Sequence, residues 1–246
     1  MEEHELFIVE WINGLLGHPI AVAFGMQVEE GEHVIPTQVI MATLVMIFCF
    51  VFFIWLRSQL SVENPGKVQQ VFEVVVEFLG DQLDEIVGFK GRKYLNLVGT
   101  LGVFIVFSNL LGLIPGFAAP TSNINVPAGC AFIVFFYYNF QGMREHGVFK
   151  YLKHFAGPIW WMAPLMIPIE IISHLARPFS LTIRLFVNIF AEEALVLAFF
   201  ALFGIGVLLP LPFMAYALFG GLLQGFIFLV LTMVYLGGAV ATEEHS

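Results

Sequence analysis

The chain has 246 residues, of which 59% are hydrophobic and only 12% are charged, a composition typical of an all-α polytopic membrane protein and unlike that of a soluble domain. The formal net charge is −9, and no basic patch suggests nucleic acid as a partner. Cys49 and Cys130 both lie in apolar runs and no phosphate-binding G-x-x-x-x-G-K-S/T motif occurs, so we expect no disulfide framework, no metal and no cofactor.

The N-terminal segment, residues 1–36, is acidic and contains apolar patches that are too short to span a membrane. We predict that it is extramembrane, with a short interfacial helix near Trp11. Its acidic start is unlike that of a cleavable signal peptide. We interpret His4, His18 and His33 as solvated surface residues and not as ligands.

Residues 37–246 are predicted to form a single membrane domain with five membrane-crossing helices. These are predicted at about 37–56, 94–114, 126–143, 164–204 and 212–241. About 20 residues suffice to cross a hydrocarbon core of about 30 Å, whereas the last two helices would measure about 60 and 45 Å. We therefore predict a long tilted intramembrane hairpin with a proline-bracketed turn at 210–212, whose first helix either breaks near Pro178 or lies strongly tilted.

The segment at about 65–87 is predicted to be an amphipathic helix that lies along the membrane surface, because it is too polar to span. Asn64 is the expected cap and Pro65 the expected first-turn residue. The polar face of this helix is acidic and consists of Glu73, Glu77, Asp81 and Asp84. This face either docks a partner subunit or is a plain solvated surface.

The basic residues indicate the orientation. Eight of the ten Lys and Arg residues lie in three segments, 57–67, 90–93 and 144–153. The positive-inside rule then places the N-terminus outside and the C-terminus in the cytoplasm. Arg177 and Arg184 are the exceptions, because both lie within the long helix, and this position marks them as functional candidates.

Ionisable residues inside the predicted helix at 164–204 each cost roughly 2.5–3.5 kcal/mol at membrane depth, so we interpret them as an ion or substrate pathway. At about 100° per residue one stripe contains Ser173, Arg177, Ser180, Arg184 and Asn188, with Glu170 at its margin. Glu193 points to roughly the opposite side, about 13 Å further along. This separation predicts two aqueous half-paths that do not meet.

The residue types at these positions suggest different roles. A guanidinium remains charged because its pKa exceeds about 12, so Arg184 is predicted to be an electrostatic gate that cannot relay protons. Glu192 and Glu193 can take up and release protons. Glu170 and His174 lie about 20 and 15 Å before Arg184, nearer the predicted cytoplasmic end, and are candidates for the inner half-path.

Two motifs carry a family resemblance: R-L-F-x-N-x-x-A-x-E starting at Arg184, and Q-x-F-I-F-x-x-L-T-x-x-Y-L starting at Gln224. From about residue 36 to the C-terminus the chain resembles the a subunit of the F-type ATP synthase, the stator part of its proton channel. The resemblance implies that Arg184 faces the carboxylates of a rotating ring of c subunits. It also assigns Asn188, Glu193 and Gln224 to proton translocation.

The same resemblance implies further partners and a location. Peripheral-stalk b subunits, membrane lipid and, indirectly, the catalytic head of the ATP synthase are the expected partners. The expected location is an energy-transducing membrane, the inner membrane of a bacterium, and no catalytic chemistry is expected in this chain. Some bacterial relatives carry a histidine where Ala217 stands and a small residue at the site of Glu192. The acidic half-path is therefore expected to be arranged differently here.

Three further candidates are Ser180, Tyr235 and Asn109. Ser180 belongs to the polar stripe, and Tyr235 shares a helix face with Gln224. The family associates an asparagine in the context of Asn109 with the channel. From the residues alone, a helix-packing hydrogen bond explains Asn109 equally well.

Two other classes of membrane protein need features that the chain does not show. A secondary transporter of a small solute often has internal repeats and broken helices, but the chain shows no internal repeat. A haem-carrying electron-transfer subunit needs pairs of axial histidines on spanning helices, whereas only His174 lies in a predicted span. The transporter is the alternative to the ion-conducting stator.

Overall fold

The computed structural model describes residues 7–17, 35–88, 91–114, 117–154, 163–203 and 210–240, and all regular structure within them is helical. The described helices are α1 Phe7–Ile12, α2 Thr37–Ser58, α3 Lys67–Val87, α4 Leu95–Leu111, α5 Asn125–His146, α6 Val148–His154, α7 Ala163–Phe203 and α8 Pro210–Val240. A π-helical turn, Asn13–Gly17, follows α1, and 3-10 turns at Gly91–Tyr94 and Pro120–Ser122 precede α4 and α5. The all-α prediction is confirmed.

Three helices within the described residues are long and apolar enough to cross a membrane: Thr37–Ser58, Gly91–Leu111 and Pro212–Val240. The helices α5 and α7 are not among them. Polar side chains such as Tyr138 and Asn139 interrupt α5, and α7 contains five charged residues. Length and composition therefore identify three of the five predicted crossings.

A break near Pro178, one of the two predicted alternatives, does not occur, because α7 runs without interruption through both Pro168 and Pro178. Each proline lacks the N–H that would bond to the carbonyl four residues earlier, so the helix continues with one backbone hydrogen bond fewer at each proline. One turn after Pro178, the Thr182 hydroxyl donates to the Pro178 carbonyl at 2.8 Å. Of the two alternatives for the 41-residue helix, the structure excludes the break.

Two predicted helix boundaries were wrong. The proline-bracketed turn at 210–212 is already helical, since α8 begins at Pro210. Proline suits a first helical position, where its missing N–H would have no partner in any case. The cap position before the first residue of α3 is occupied by Gly66 and not by the predicted Asn64, and no side chain caps the helix there. The Asn64 N–H bonds to the Ser61 hydroxyl at 3.3 Å.

The predicted N-terminal helix near Trp11 is present as α1, with Trp11 60% exposed. Val9 packs against Ile40 at the start of α2. The Asn13 side chain accepts a hydrogen bond from the Ile35 N–H at 2.9 Å and donates to the Ile35 carbonyl at 3.2 Å. This pair of bonds ties the N-terminal segment to the first long helix. His4, His18 and His33 lie outside the described residues.

The helix α8 lies at the centre of the bundle, because it packs against α3, α4, α5 and α7. Its buried residues Phe228 and Met233 join Leu83 of α3, Ile105 of α4 and Leu185 of α7 in one continuous core. The outward side of α2 is apolar instead: Phe50 is 69% and Val51 58% exposed. An apolar outer surface around a packed centre fits a protein that is surrounded by lipid.

The acidic face of α3 is partly used within the chain. Arg92, in the 3-10 turn before α4, donates to Asp81 at 2.8 Å and to Asp84 at 2.7 Å. Glu73 accepts a hydrogen bond from Gln69. These contacts fix the turn to α3, so the two aspartates serve an intramolecular contact.

Gly91 allows this turn to approach α3 closely, since an added Cβ would collide with the Leu83 carbonyl oxygen. We expect Gly91→Ala to destabilise the fold by about 1–3 kcal/mol, because backbone must move to relieve the overlap. Gly99→Ala in α4 is the matched control, since nothing lies within 4 Å of its added Cβ and alanine favours a helix by about 0.5–1 kcal/mol. Thermal denaturation of the detergent-solubilised complex measures both. Equal melting temperatures for the two variants would contradict the close approach.

Candidate functional site

The helices α7 and α8 run antiparallel in a fixed register that three contacts define. Glu192 contacts Gly220, Asn188 Nδ2 donates to Gln224 Oε1 at 2.7 Å, and the Arg177 guanidinium lies 5.5 Å from the centre of the Tyr235 ring. Four residues separate the first two contacts on each helix, 192 to 188 on α7 and 220 to 224 on α8. Eleven residues separate the second and third contacts, 188 to 177 on α7 and 224 to 235 on α8. The two helices therefore keep one register along the whole stretch from Arg177 to Glu192.

A cavity of about 400 Å³, hereafter the glutamate cavity, lies beside the C-terminal half of α7. Glu192 and Glu193 are the ionisable residues that line it, and Ala217 of α8 forms part of its wall. Glu193 faces Ser122 and the backbone of Ala119. The Glu192 carboxylate occupies the space that a side chain at Gly220 would need. Two half-buried carboxyl groups thus share one cavity.

Asn109 of α4 also lines the glutamate cavity, and both polar atoms of its side chain make a hydrogen bond. Its Nδ2 donates to the Gly221 carbonyl at 2.8 Å, and its Oδ1 accepts from the Thr121 hydroxyl at 2.7 Å. An added Cβ at Gly221 would lie 3.2 Å from the Asn109 Cβ, so glycine permits this approach. The packing interpretation of Asn109 therefore has direct support. Thr121 was not singled out from the sequence, where it lies in an uncharged loop.

A second group of polar side chains, hereafter the tyrosine–histidine cluster, lies towards the N-terminal end of α7. It consists of Tyr138, Glu170, His174, Arg177 and Tyr235. The His174 Nε2 lies 3.4 Å from Glu170 Oε1, and its Nδ1 lies 3.4 Å from the Tyr138 hydroxyl. The Arg177 guanidinium carbon lies 5.9 Å from the centre of the Tyr138 ring. His174 is buried at 9% exposure, and the Arg177 guanidinium lies beside the neighbouring rings of Tyr138 and Tyr235.

Sequence reasoning missed Tyr138, although a signal was present: Tyr137, Tyr138 and Asn139 interrupt an apolar run. It also placed Arg177 on the same stripe as Arg184. In the structure the two side chains have different environments. The Arg177 guanidinium lies 5.5 Å from the centre of the Tyr235 ring, whereas the Arg184 side chain is exposed. Tyr151 of α6 lies nearby and donates to Asn139 Oδ1 at 2.9 Å. Burial raises the pKa of Tyr151 to about 12, so it remains a donor at physiological pH.

Arg184 lies on the outer face of α7, together with Ser180 and Asn188. Within the part of the chain that the structure describes, no carboxylate lies within 4 Å of its guanidinium. The large side chains around it are apolar and exposed: Phe179 66%, Val187 46% and Ile183 37%. A permanent charge in an apolar surface is costly unless an opposite charge meets it.

An apolar layer separates the tyrosine–histidine cluster from the glutamate cavity on the buried side of α7. Leu181, Leu185 and Ile189 are 1%, 0% and 4% exposed, and Phe228 of α8 at 1% faces them. The layer accounts for much of the roughly 22 Å along α7 from Arg177 to Glu192. At its margin the Gln224 carboxamide bonds to Asn188. Thr182 and Thr232 are the buried threonines of this stretch, and their hydroxyls donate to backbone carbonyls of their own helices.

Comparison with known proteins gives the family. A sequence model of the ATP synthase A chain matches residues 39–237. The chain is 50% identical over 206 residues to ATP synthase subunit a of Solibacter usitatus, covering 84% of this chain and 88% of that protein. It is 42% identical over 241 residues to ATP synthase subunit a of Koribacter versatilis, covering 97% of this chain and 98% of the relative. With matches of this length to the family and to its members, the chain belongs to the ATP synthase A chain family.

Proposed function

We propose that the chain is the proton-translocating stator subunit in the membrane sector of an F-type ATP synthase and has no catalytic chemistry of its own. One observation carries the proposal beyond family membership: two polar sites, separated by the apolar layer, flank an exposed arginine. In this proposal a proton does not cross the apolar layer within the chain but passes between the two sites on a partner that moves across the exposed face.

In this proposal the glutamate cavity is the outer half-path. Protons reach Glu192 and Glu193 from outside, pass the Asn188–Gln224 pair and protonate a carboxylate on the rotating ring. After the ring has turned, the proton leaves on the side of Glu170 and His174. Arg184 holds the passing ring carboxylate ionised and blocks the direct route, since a guanidinium does not relay protons.

The proposal includes a topology of five crossings, with α5 and α7 added to the three helices that length and composition identify. The N-terminus then lies outside and the C-terminus in the cytoplasm, following the positive-inside rule. The long antiparallel pair, α7 and α8, is too long to stand upright in a core of about 30 Å, so it lies tilted against the ring. The surface helix α3 lies at the membrane boundary.

The proposed partner at the exposed face is a ring of c subunits, because Arg184 needs a carboxylate that this chain does not supply in its described residues. Peripheral-stalk b subunits and, indirectly, the catalytic head are further proposed partners, as the family resemblance implies. The inner membrane of a bacterium is the proposed location. The secondary-transporter alternative is not favoured, because the family match covers the whole helical bundle.

Cross-linking tests the proposed ring face. A cysteine at Val187, in a chain whose Cys49 and Cys130 are alanine, is labelled with a photoactivatable maleimide in the assembled complex. We expect adducts with the c subunit, because Val187 is 46% exposed beside Arg184. A cysteine at Val51 of α2, which is 58% exposed on another helix, is the matched control and should give none. Adducts with c at Val51 but not at Val187 would place the ring elsewhere and refute the proposal.

A further inference from the structure

We infer that Tyr138 is a positioning residue of the inner half-path, which orients the His174 imidazole through its hydroxyl and holds Arg177 with its ring. The inference rests on the proposed function and extends it to a residue of α5, a helix with no other member of the proposed pathway. Three elements meet at the cluster: α5 provides Tyr138, α7 provides Glu170, His174 and Arg177, and α8 provides Tyr235.

Glu170 Oε1 lies 3.4 Å from the imidazole Nε2, and the Tyr138 hydroxyl lies 3.4 Å from Nδ1. In the tautomer that carries its hydrogen on Nε2, this hydrogen is on the side of the Glu170 carboxylate. In the neutral ring the Nδ1 atom is then an acceptor, and the Tyr138 hydroxyl donates to it. When the imidazole is protonated, Nδ1 becomes a donor and the same hydroxyl oxygen accepts. A hydroxyl can serve both protonation states by rotating, which suits a histidine that gains and loses protons.

The Tyr138 ring has a separate task. Its centre lies 5.9 Å from the Arg177 guanidinium carbon, and the neighbouring Tyr235 ring, whose centre is 6.3 Å from that of Tyr138, lies 5.5 Å from the same carbon. Attraction between a cation and an aromatic face holds the guanidinium beside His174 without neutralising it. Among the described residues, the charged and titratable groups of this neighbourhood include Glu170 and Arg177 on the same helix, Tyr138 and Tyr235 on the packed helices, and Tyr151 nearby.

Tyr138→Phe removes the hydroxyl and keeps the ring. We expect ATP-driven proton pumping by the assembled complex in inverted vesicles to fall about two- to tenfold at neutral pH, since a neutral hydrogen bond of this kind is lost. We also expect its dependence on the pH of the ATP side to shift by about half to one unit. Dividing pumping by the uncoupled ATP hydrolysis rate at each pH removes the pH dependence of the catalytic head.

Tyr137→Phe is the matched control, because the neighbouring tyrosine packs edge-on against Tyr94 and should leave the pH dependence unchanged. Tyr138→Leu should cost more than Tyr138→Phe, since it also removes the ring from Arg177. In a His174→Ala background, Tyr138→Phe should shift nothing further, as expected of a residue that acts through the imidazole.

Superimposable pH profiles for Tyr138→Phe and Tyr137→Phe would overturn the inference. A loss of pumping that only follows a loss of assembled complex would do the same, because Tyr138 would then be structural. A persistent shift in the His174→Ala background would also overturn it. The proposed function fails separately, through undiminished pumping by Arg184→Ala.

Discussion

Arg184→Ala is expected to abolish ATP-driven proton pumping while the complex remains assembled. Two unit charges 4 Å apart attract by about 4 kcal/mol at an effective dielectric constant of 20. Losing this attraction lowers the ionised population of a facing ring carboxylate by about a thousandfold. Folding should be little affected, since Arg184 is exposed and has no acidic partner among the described residues.

The measurement is acidification of proteoliposomes that contain the whole complex, with the amount of complex determined in the same sample. Arg57→Ala at the end of α2 is the control, because it removes an equal charge from a helix terminus. Arg184→Lys should restore only part of the pumping, since an ammonium group can lose its proton and cannot bond to a carboxylate in a bidentate manner. Full pumping by the lysine variant would refute a role specific to the guanidinium.

Glu193→Gln is expected to lower pumping on the order of a hundredfold, the contribution typical of a positioned proton-transfer group. Glutamine keeps the shape of the side chain and its ability to accept hydrogen bonds, but it cannot carry a proton. Glu192→Gln should have a smaller effect on its own, and the double variant a larger one, because both carboxyl groups line the same cavity. Rates of acidification in proteoliposomes measure all three variants.

Glu77→Gln on the exposed face of α3 controls for the loss of a carboxylate as such, and it should leave pumping unchanged. Wild-type rates for the Glu192→Gln, Glu193→Gln double variant would show that the glutamate cavity carries no protons. A double variant no slower than Glu193→Gln would instead remove Glu192 from the pathway.

The sequence allowed the helices and the division of polar residues along α7 to be predicted, because these depend on local spacing. Apolar runs gave the approximate bounds of the long helices, and the angular positions of Arg184 and Glu193 follow from helix geometry. The pairing of Asn188 with Gln224 was not predicted. It depends on how two distant helices align, which no local pattern specifies.

Contacts between helices account for the other differences. Arg177 and Arg184 are seven residues apart and look equivalent on one helix, yet Tyr138 and Tyr235 cover only the first. The absence of a polar side chain at Ala217 indicated an unusual acidic half-path, but the contact of Glu192 with Gly220 appears only after packing. The helix α3 begins after Gly66 and not after Asn64, because the chain enters the helix only beyond Pro65.

The exposure of Arg184 has a consequence for energy conversion. Arg184 is the exposed basic side chain among the described residues of α7 and α8, because His174 is buried and the Arg177 guanidinium lies beside the Tyr138 and Tyr235 rings. In the proposed role, a single fixed charge admits one ionised ring site at a time, so ions are transferred singly whatever the circumference of the ring. The number of ions spent per ATP is then set by the number of ring subunits. This chain could serve rings of different stoichiometry without any change in sequence.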